Sequence, residues 1–150
     1  MSDDIGMLIK SAPLRQLYRD WDARRAGRRV PARADFDPVE MKYILGQLSL
    51  VDVARDPLRF VFRLHASGNV RHLGVDLTGK ELASMPKPDL RDRIRTHYEL
   101  AVASREPVVQ RRGGSFAAGR EVDYEVLVLP LASDGETIDM LMSGVIWNER

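Results

Sequence analysis

The sequence predicts an α+β domain: a five-stranded antiparallel sheet with short helices on one face and an N-terminal helical extension. Three observations carry that prediction. Apolar residues before Gly46 recur with the helical period of about 3.6, and from Gln47 onward the period changes to 2. A helical stretch punctuated by Gly and Pro, residues 67–104, then separates two strands from three. Finally, Asp134-Gly135 between two apolar runs signals a tight hairpin. With 150 residues and 44% hydrophobic content, the chain has the material for one real core. The expected division is an amphipathic helix over residues 1–27 and the sheet domain over 28–150.

Residues 1–10 read as loose chain. Ser11 is placed to cap a helix whose first turn holds Pro13. Leu14, Leu17, Tyr18 and Trp21 follow at i, i+3, i+4 and i+7, one apolar stripe, and Gly27 supplies the stop. A helix this short does not leave such a stripe in water, so it is expected to bury against the chain's own sheet or a second copy. Tyr and Trp are common interface anchors, which makes a homodimer the expectation, with Val126, Val128 and Val145 on the outer sheet face that receives the helix. Asp37-Pro38 starts a second helix carrying Val39, Met41, Ile44 and Leu45, and Gly46 ends it.

Gln47–Ala54 and Arg59–Ala66 read as a hairpin around Asp56-Pro57. Phe60, Phe62 and Leu64 alternate onto one face, and Val61, Arg63 and His65 onto the other, so His65 is expected toward solvent or a partner. Val70 and Leu73 mark short helical turns between Gly68 and Gly79. Asp89 caps the longest remaining helix, Leu90 to about Ser104, with Leu90, Ile94, His97 or Tyr98, and Ala101 inward. The strand from Pro107 is expected to run out at Gly113-Gly114, and Ala118-Gly119 to turn the chain. Asp123–Leu131 places Leu127, Leu129 and Leu131 on one face, opposite Tyr124, Val126 and Val128. Ile138–Trp147 is apolar on both faces, as a central strand requires.

Charge nearly cancels, 23 basic residues against 22 acidic, for a net +1. No apolar run approaches the ~18 residues of a membrane span. The acidic opening Met1-Ser2-Asp3-Asp4 is not a secretory signal, so a cytoplasmic location is expected. The chain has no cysteine, which excludes disulfides, thiolate catalysis and Cys-ligated metals. Arginine outnumbers lysine 19 to 4, and five arginines fall between Arg24 and Arg33 with no acid among them. That run reads as a solvated helix end and linker rather than a phosphate-binding patch. No aromatic interleaves it and no other basic face matches it, so nucleic acid is not an expected partner.

Three motifs stand in register. GRRVPARADFD ahead of Pro38 resembles an opening segment, FRLHASGNVRHLGVDLTGKEL from Phe62 to Leu82 a central signature, and YEVLVLPLASDG with IDMLMSG, Tyr124 to Gly144, a closing hairpin. Over residues 13–147 the chain resembles a bacterial PAS domain family, the PAS_5 type. The resemblance implies a sensory or regulatory module of signal transduction, with no one fixed ligand. It also implies a core between the sheet and the long helix that either encloses a pocket for a small molecule or takes no ligand at all. Phe62, Leu64, Val70, Leu73 and Ile94 are its candidate lining, together with His97, Tyr98, Leu127, Leu129 and Met142. No kinase, cyclase or helix-turn-helix fits beside such a domain in 150 residues, so the signal is expected to leave by contact with a signalling protein such as a sensor kinase.

No cofactor is expected. Without cysteine, flavin photoadducts and thioether-linked bilins are excluded. Haem remains an alternative, with His97 as axial ligand and His72 a weaker candidate. His65, His72 and His97 lack metal-ligand spacing, and no nucleophile motif is present, so neither a metal site nor a catalytic residue is expected. The other alternative is a small cone-shaped α+β enzyme, an isomerase or cyclase, using Asp52 and His65 as general base and orienter.

Overall fold

In the computed structural model, residues 2–116 and 120–149 are described, with side chains over 5–112 and 123–148. Helix α1 (Ser2–Leu8) occupies the stretch expected to be loose. Helix α2 (Ala12–Arg24) follows, with Ser11 at its N-cap position and proline in its first turn. Past its end, Gly27 adopts φ +86°, a conformation glycine enters without steric cost.

The second helix does not form as one element. Three turns of 3-10 helix, Arg33–Asp35, Pro38–Met41 and Leu45–Gln47, stand in its place. Asp37 caps as expected, its carboxylate accepting the Val39 N–H at 3.0 Å. Beyond it, Val39, Tyr43, Ile44 and Gly46 are weak helix formers, and a segment this short does not nucleate a continuous helix. Four of the five arginines in the arginine-rich link meet carboxylates: Arg24 pairs with Glu40, Arg25 with Asp22, Arg28 with Asp35 and Arg29 with Glu106.

Strands β1 (Leu48–Ala54) and β2 (Arg59–Leu64) form the first hairpin. Helices α3 (Ser67–Leu73) and α4 (Pro88–Ser104) separate it from β3 (Val108–Phe116), β4 (Arg120–Leu131) and β5 (Met140–Glu149). Strand β3 continues through Gly113-Gly114 rather than ending there; the expected turn at Ala118-Gly119 lies outside the described residues. The sheet order is β2-β1-β5-β4-β3, all antiparallel, so the first and last strands are neighbours. The outer edge of β2 is closed by the segment after α3, where Phe62 N–H donates to the Lys80 carbonyl at 2.9 Å and Gly79 N–H to the Phe62 carbonyl at 2.7 Å.

The two faces of the sheet are exchanged relative to the sequence expectation. Register puts Leu127 opposite Gly144, Leu129 opposite Met142 and Leu131 opposite Met140 on the face that α2 covers. Tyr124, Val126, Val145 and Trp147 turn the other way, toward α3 and α4. Leucine and valine alternate along β4, both faces are buried, and the alternation therefore carries no polar contrast to tell them apart. Leu14, Leu17, Tyr18 and Trp21 are likewise buried within the chain, so the stripe expected at a homodimer interface is covered by the chain's own sheet. Trp21 Nε1 donates to the Pro130 carbonyl at 2.9 Å.

A buried carboxylate positions α2. Glu125 lies on the α2-facing side of β4 at 3% exposure. Its oxygens accept the Lys10 and Ser11 backbone N–H groups, each at 2.8 Å, and the Arg111 guanidinium at 3.1 Å. Burial alone raises the pKa of this carboxyl; the hydrogen bonds from Lys10, Ser11 and Arg111 outweigh it and hold the group below the ordinary value of 4.5.

Two outcomes follow from this packing. A Cβ added at Gly144 stands 2.8 Å from Leu14 Cδ2 and 3.0 Å from Leu17 Cδ2. Gly144→Ala is expected to cost about 1–3 kcal/mol, read as a lower urea midpoint at unchanged slope. The depressed pKa of Glu125 gives stability that is complete above its unfolded value and lost as pH falls through the folded one. Glu125→Gln is expected to lower stability at neutral pH by about 1–3 kcal/mol and to flatten its decline below pH ~4.5, measured by denaturant titration across pH.

Candidate functional site

The inner face of the sheet, α3 and α4 enclose a cavity. Why each side chain reaches it is set by local structure. In β2, Val51 pairs with Phe62 but Leu50 pairs with Leu64, so Arg63 is an extra residue, a β-bulge. Phe62 therefore faces the cavity, Arg63 turns out to Asp52 at 3.1 Å, and Leu64 is left 42% exposed. The chain then swings His65 inward to 4% exposure, contrary to the alternation expected for it. Its Nδ1 accepts the Leu77 N–H at 3.1 Å, and its own backbone N–H donates to Thr78 Oγ1 at 3.0 Å.

From α3, Asn69 and Leu73 point in, and Asn69 Oδ1 accepts the Trp147 Nε1–H at 2.8 Å. His72 stacks on the Trp147 ring with centroids 4.3 Å apart. From α4, Leu90, Ile94, His97 and Tyr98 line the cavity, as their helical spacing requires. Tyr98 shares a hydrogen bond with Ser143 on β5, and its burial raises its pKa. Both cavity histidines are held neutral. Burial lowers the pKa of His65 against the opposing effect of Asp76, and burial, Arg93 and Arg112 lower that of His97.

Of the ten expected lining residues, Phe62, Leu73, Ile94, His97 and Tyr98 are in place. Leu64, Leu127, Leu129 and Met142 belong to the opposite face, and Val70 is half-buried on α3 outside the lining. Sequence reasoning missed His65, Asn69, Tyr124, Val126, Ser143, Val145 and Trp147 as cavity residues. One available signal was Gly144: a strand glycine marks the face where another element approaches closely, and its neighbours Ser143 and Val145 face the cavity instead.

The space open to the centre of a water molecule is about 40 Å³, room for about three waters, well short of the ~300 Å³ or more of drug-sized pockets. A porphyrin or an isoalloxazine does not fit beside His97, and no chemistry is derived through either. Asp52 and His65 face opposite sides of the sheet, and Asp52 is bound to Arg63, so the base–orienter pair of the enzyme alternative is not assembled. Among the described residues, no three His, Asp or Glu side chains converge as a metal site. No helix among them is long and apolar enough to cross a membrane.

A five-stranded antiparallel sheet enclosing a small cavity under short helices and one long helix is the PAS arrangement. The chain belongs to the PAS_5 family of PAS domains, whose model matches residues 9–146. Its fold is similar to a Rhodobacter sphaeroides LOV protein, at 14% identity and a TM-score of 0.50, over 67% of this chain and 57% of that one. It is also similar to a sensory box sensor histidine kinase from Vibrio cholerae, at 15% identity and a TM-score of 0.50, over 73% of this chain and 90% of that one. The chain thus spans little more than half of the LOV protein. No curated protein matches it.

Neutral burial of His65 has a consequence for pH. The unfolded chain takes up a proton near pH 6.5 while the folded chain does not, so stability is unaffected above that pH and falls as pH drops toward the folded pKa. In an NMR titration His65 is expected to have its midpoint below 6.5, and His65→Gln to reduce the loss of stability between about pH 6.5 and 5.

Proposed function

We propose that this domain is a sensory module of signal transduction that acts in the cytoplasm by contacting another protein, of the sensor-kinase kind, and that a small ligand in the inner cavity sets that contact. The cavity carries this proposal. It is partly enclosed, lined by apolar side chains such as Phe62, Met85, Ile94 and Val126, and furnished with a few convergent polar groups at His65, Asn69, His97 and Ser143. Helix α4 is one wall of that cavity, and its opposite side shows Asp92, Thr96, Glu99 and Leu100 to solvent. A ligand that fills or widens the cavity shifts α4 against the sheet and so alters an exposed surface, which supports coupling by contact with no chemical step.

Native mass spectrometry of the purified chain tests this proposal. The expected result is a small bound mass, or a thermal shift on adding small metabolites, that Val126→Phe abolishes by filling the cavity at a stability cost of about 1–3 kcal/mol. A chain that carries no ligand mass and shows no such shift would sink the gating.

A further inference from the structure

We infer that the cavity takes a small neutral molecule bearing one carbonyl group, whose oxygen accepts from His65 Nε2–H and from the Asn69 amide; the inference rests on the ligand cavity proposed above. His65 is 4% exposed and lines the cavity. Its Nδ1 accepts the Leu77 backbone N–H at 3.1 Å, which requires a lone pair there and puts the one N–H proton of the neutral ring on Nε2. Phe62 flanks the ring, with centroids 4.8 Å apart. Nε2–H has no acceptor among the described residues, and the open space left to it is the cavity.

Asn69 supplies a second donor. The Trp147 indole N–H can only donate, so the Asn69 atom 2.8 Å from it is the oxygen, and the amide NH2 turns away from Trp147. Among the described residues that NH2 also lacks an acceptor. The Ala66 carbonyl accepts the Asn69 and Val70 N–H groups, each at 3.0 Å. The chain from His65 to Asn69 is therefore wound into one turn, and both side chains enter the cavity from the same end.

Two donors without acceptors in a largely apolar lining call for an acceptor from outside the chain. The lining decides its charge. Among the described residues no Lys, Arg, Asp or Glu lines the cavity, and burial holds His65 uncharged. An ion of either sign would lose its water there with no counter-charge. A carbonyl oxygen has two lone pairs, one for each donor, and brings no donor of its own to leave unpaired. The body of the ligand meets Leu73, Ile94, Val126 and Val145, and room for about three waters sets its size near about four heavy atoms, that of acetone.

NMR titration of the full chain with acetone, 2-methylpropene, acetate and isopropylamine, probes of one branched shape, tests this. The free chain is expected to hold His65 as the Nε2–H tautomer. Acetone is expected to shift the His65 Nε2 and Asn69 amide signals, and the two ions not to bind. His65→Asn keeps an acceptor near the Nδ1 position for Leu77 and removes Nε2; Asn69→Asp keeps the oxygen that meets Trp147 and removes the NH2. Each is expected to weaken acetone by about fivefold or more relative to 2-methylpropene. Circular dichroism checks folding, and should His65→Asn misfold, Asn69→Asp and the tautomer of the unsubstituted chain carry the test. The Nδ1–H tautomer in the free chain overturns the assignment. So does equal weakening of both probes, or tighter binding of either ion than of acetone; each of these leaves the cavity standing. Binding of no probe also overturns it, and a chain that in addition carries no ligand mass loses the cavity with it.

Discussion

The carboxylate of Glu125 determines how the chain before the sheet can lie on it. It gathers the two N–H groups that precede α2 and the guanidinium of Arg111, and five residues further along the same strand the Pro130 carbonyl accepts the Trp21 indole. Five strand residues span about 17 Å, and the ten helical residues from Ser11 to Trp21 about 15 Å. The lengths agree only if α2 runs alongside β4 and in the same direction. Once the helix is tied at both ends, its leucines fall on Gly144, the place where the sheet has no side chain to obstruct them. One face is then fully covered, and the remaining helices have the other face to themselves.

Much of this was legible in the sequence. The stripe of α2, the stop at Gly27, the cap at Asp37, the turn at Asp134-Gly135, the long helix α4 and the succession of strands along the chain all follow from local periodicity and turn chemistry, which act over a few residues. What was not legible depends on partners far along the chain. The leucines and valines of β4 look alike to a pattern, and only the glycine at 144 and the acid at 125, both on the α2 side, distinguish its faces. The bulge at Arg63 carries no glycine or proline to announce it, yet it moved Leu64 out of the cavity and His65 into it. The family motifs were visible as strings; which of their side chains face each other was not.

The two covers of the sheet differ in kind. On the α2 side, Leu14, Leu17 and Ile44 meet the strands with no exposure, and the polar groups there are satisfied by fixed backbone partners. On the α4 side, contacts are mixed with imidazole, amide and hydroxyl groups, and some space remains. The unfilled space of the fold thus lies on the α4 side, among partly polar contacts, and the α2 side is packed without it.

The edges of the sheet are also unequal. The chain closes β2 with its own segment from Leu77 to Glu81, so that edge presents few unpaired backbone groups to a neighbour. Strand β3 forms the opposite edge and carries Arg111 and Arg112 side by side near its middle. Arg111 is held by Glu125, so two copies approaching edge to edge along β3 in an antiparallel pairing bring Arg112 toward Arg112, where like charges repel. The fold thus guards itself against runaway strand addition twice, by a seal of backbone on one side and by electrostatic repulsion on the other.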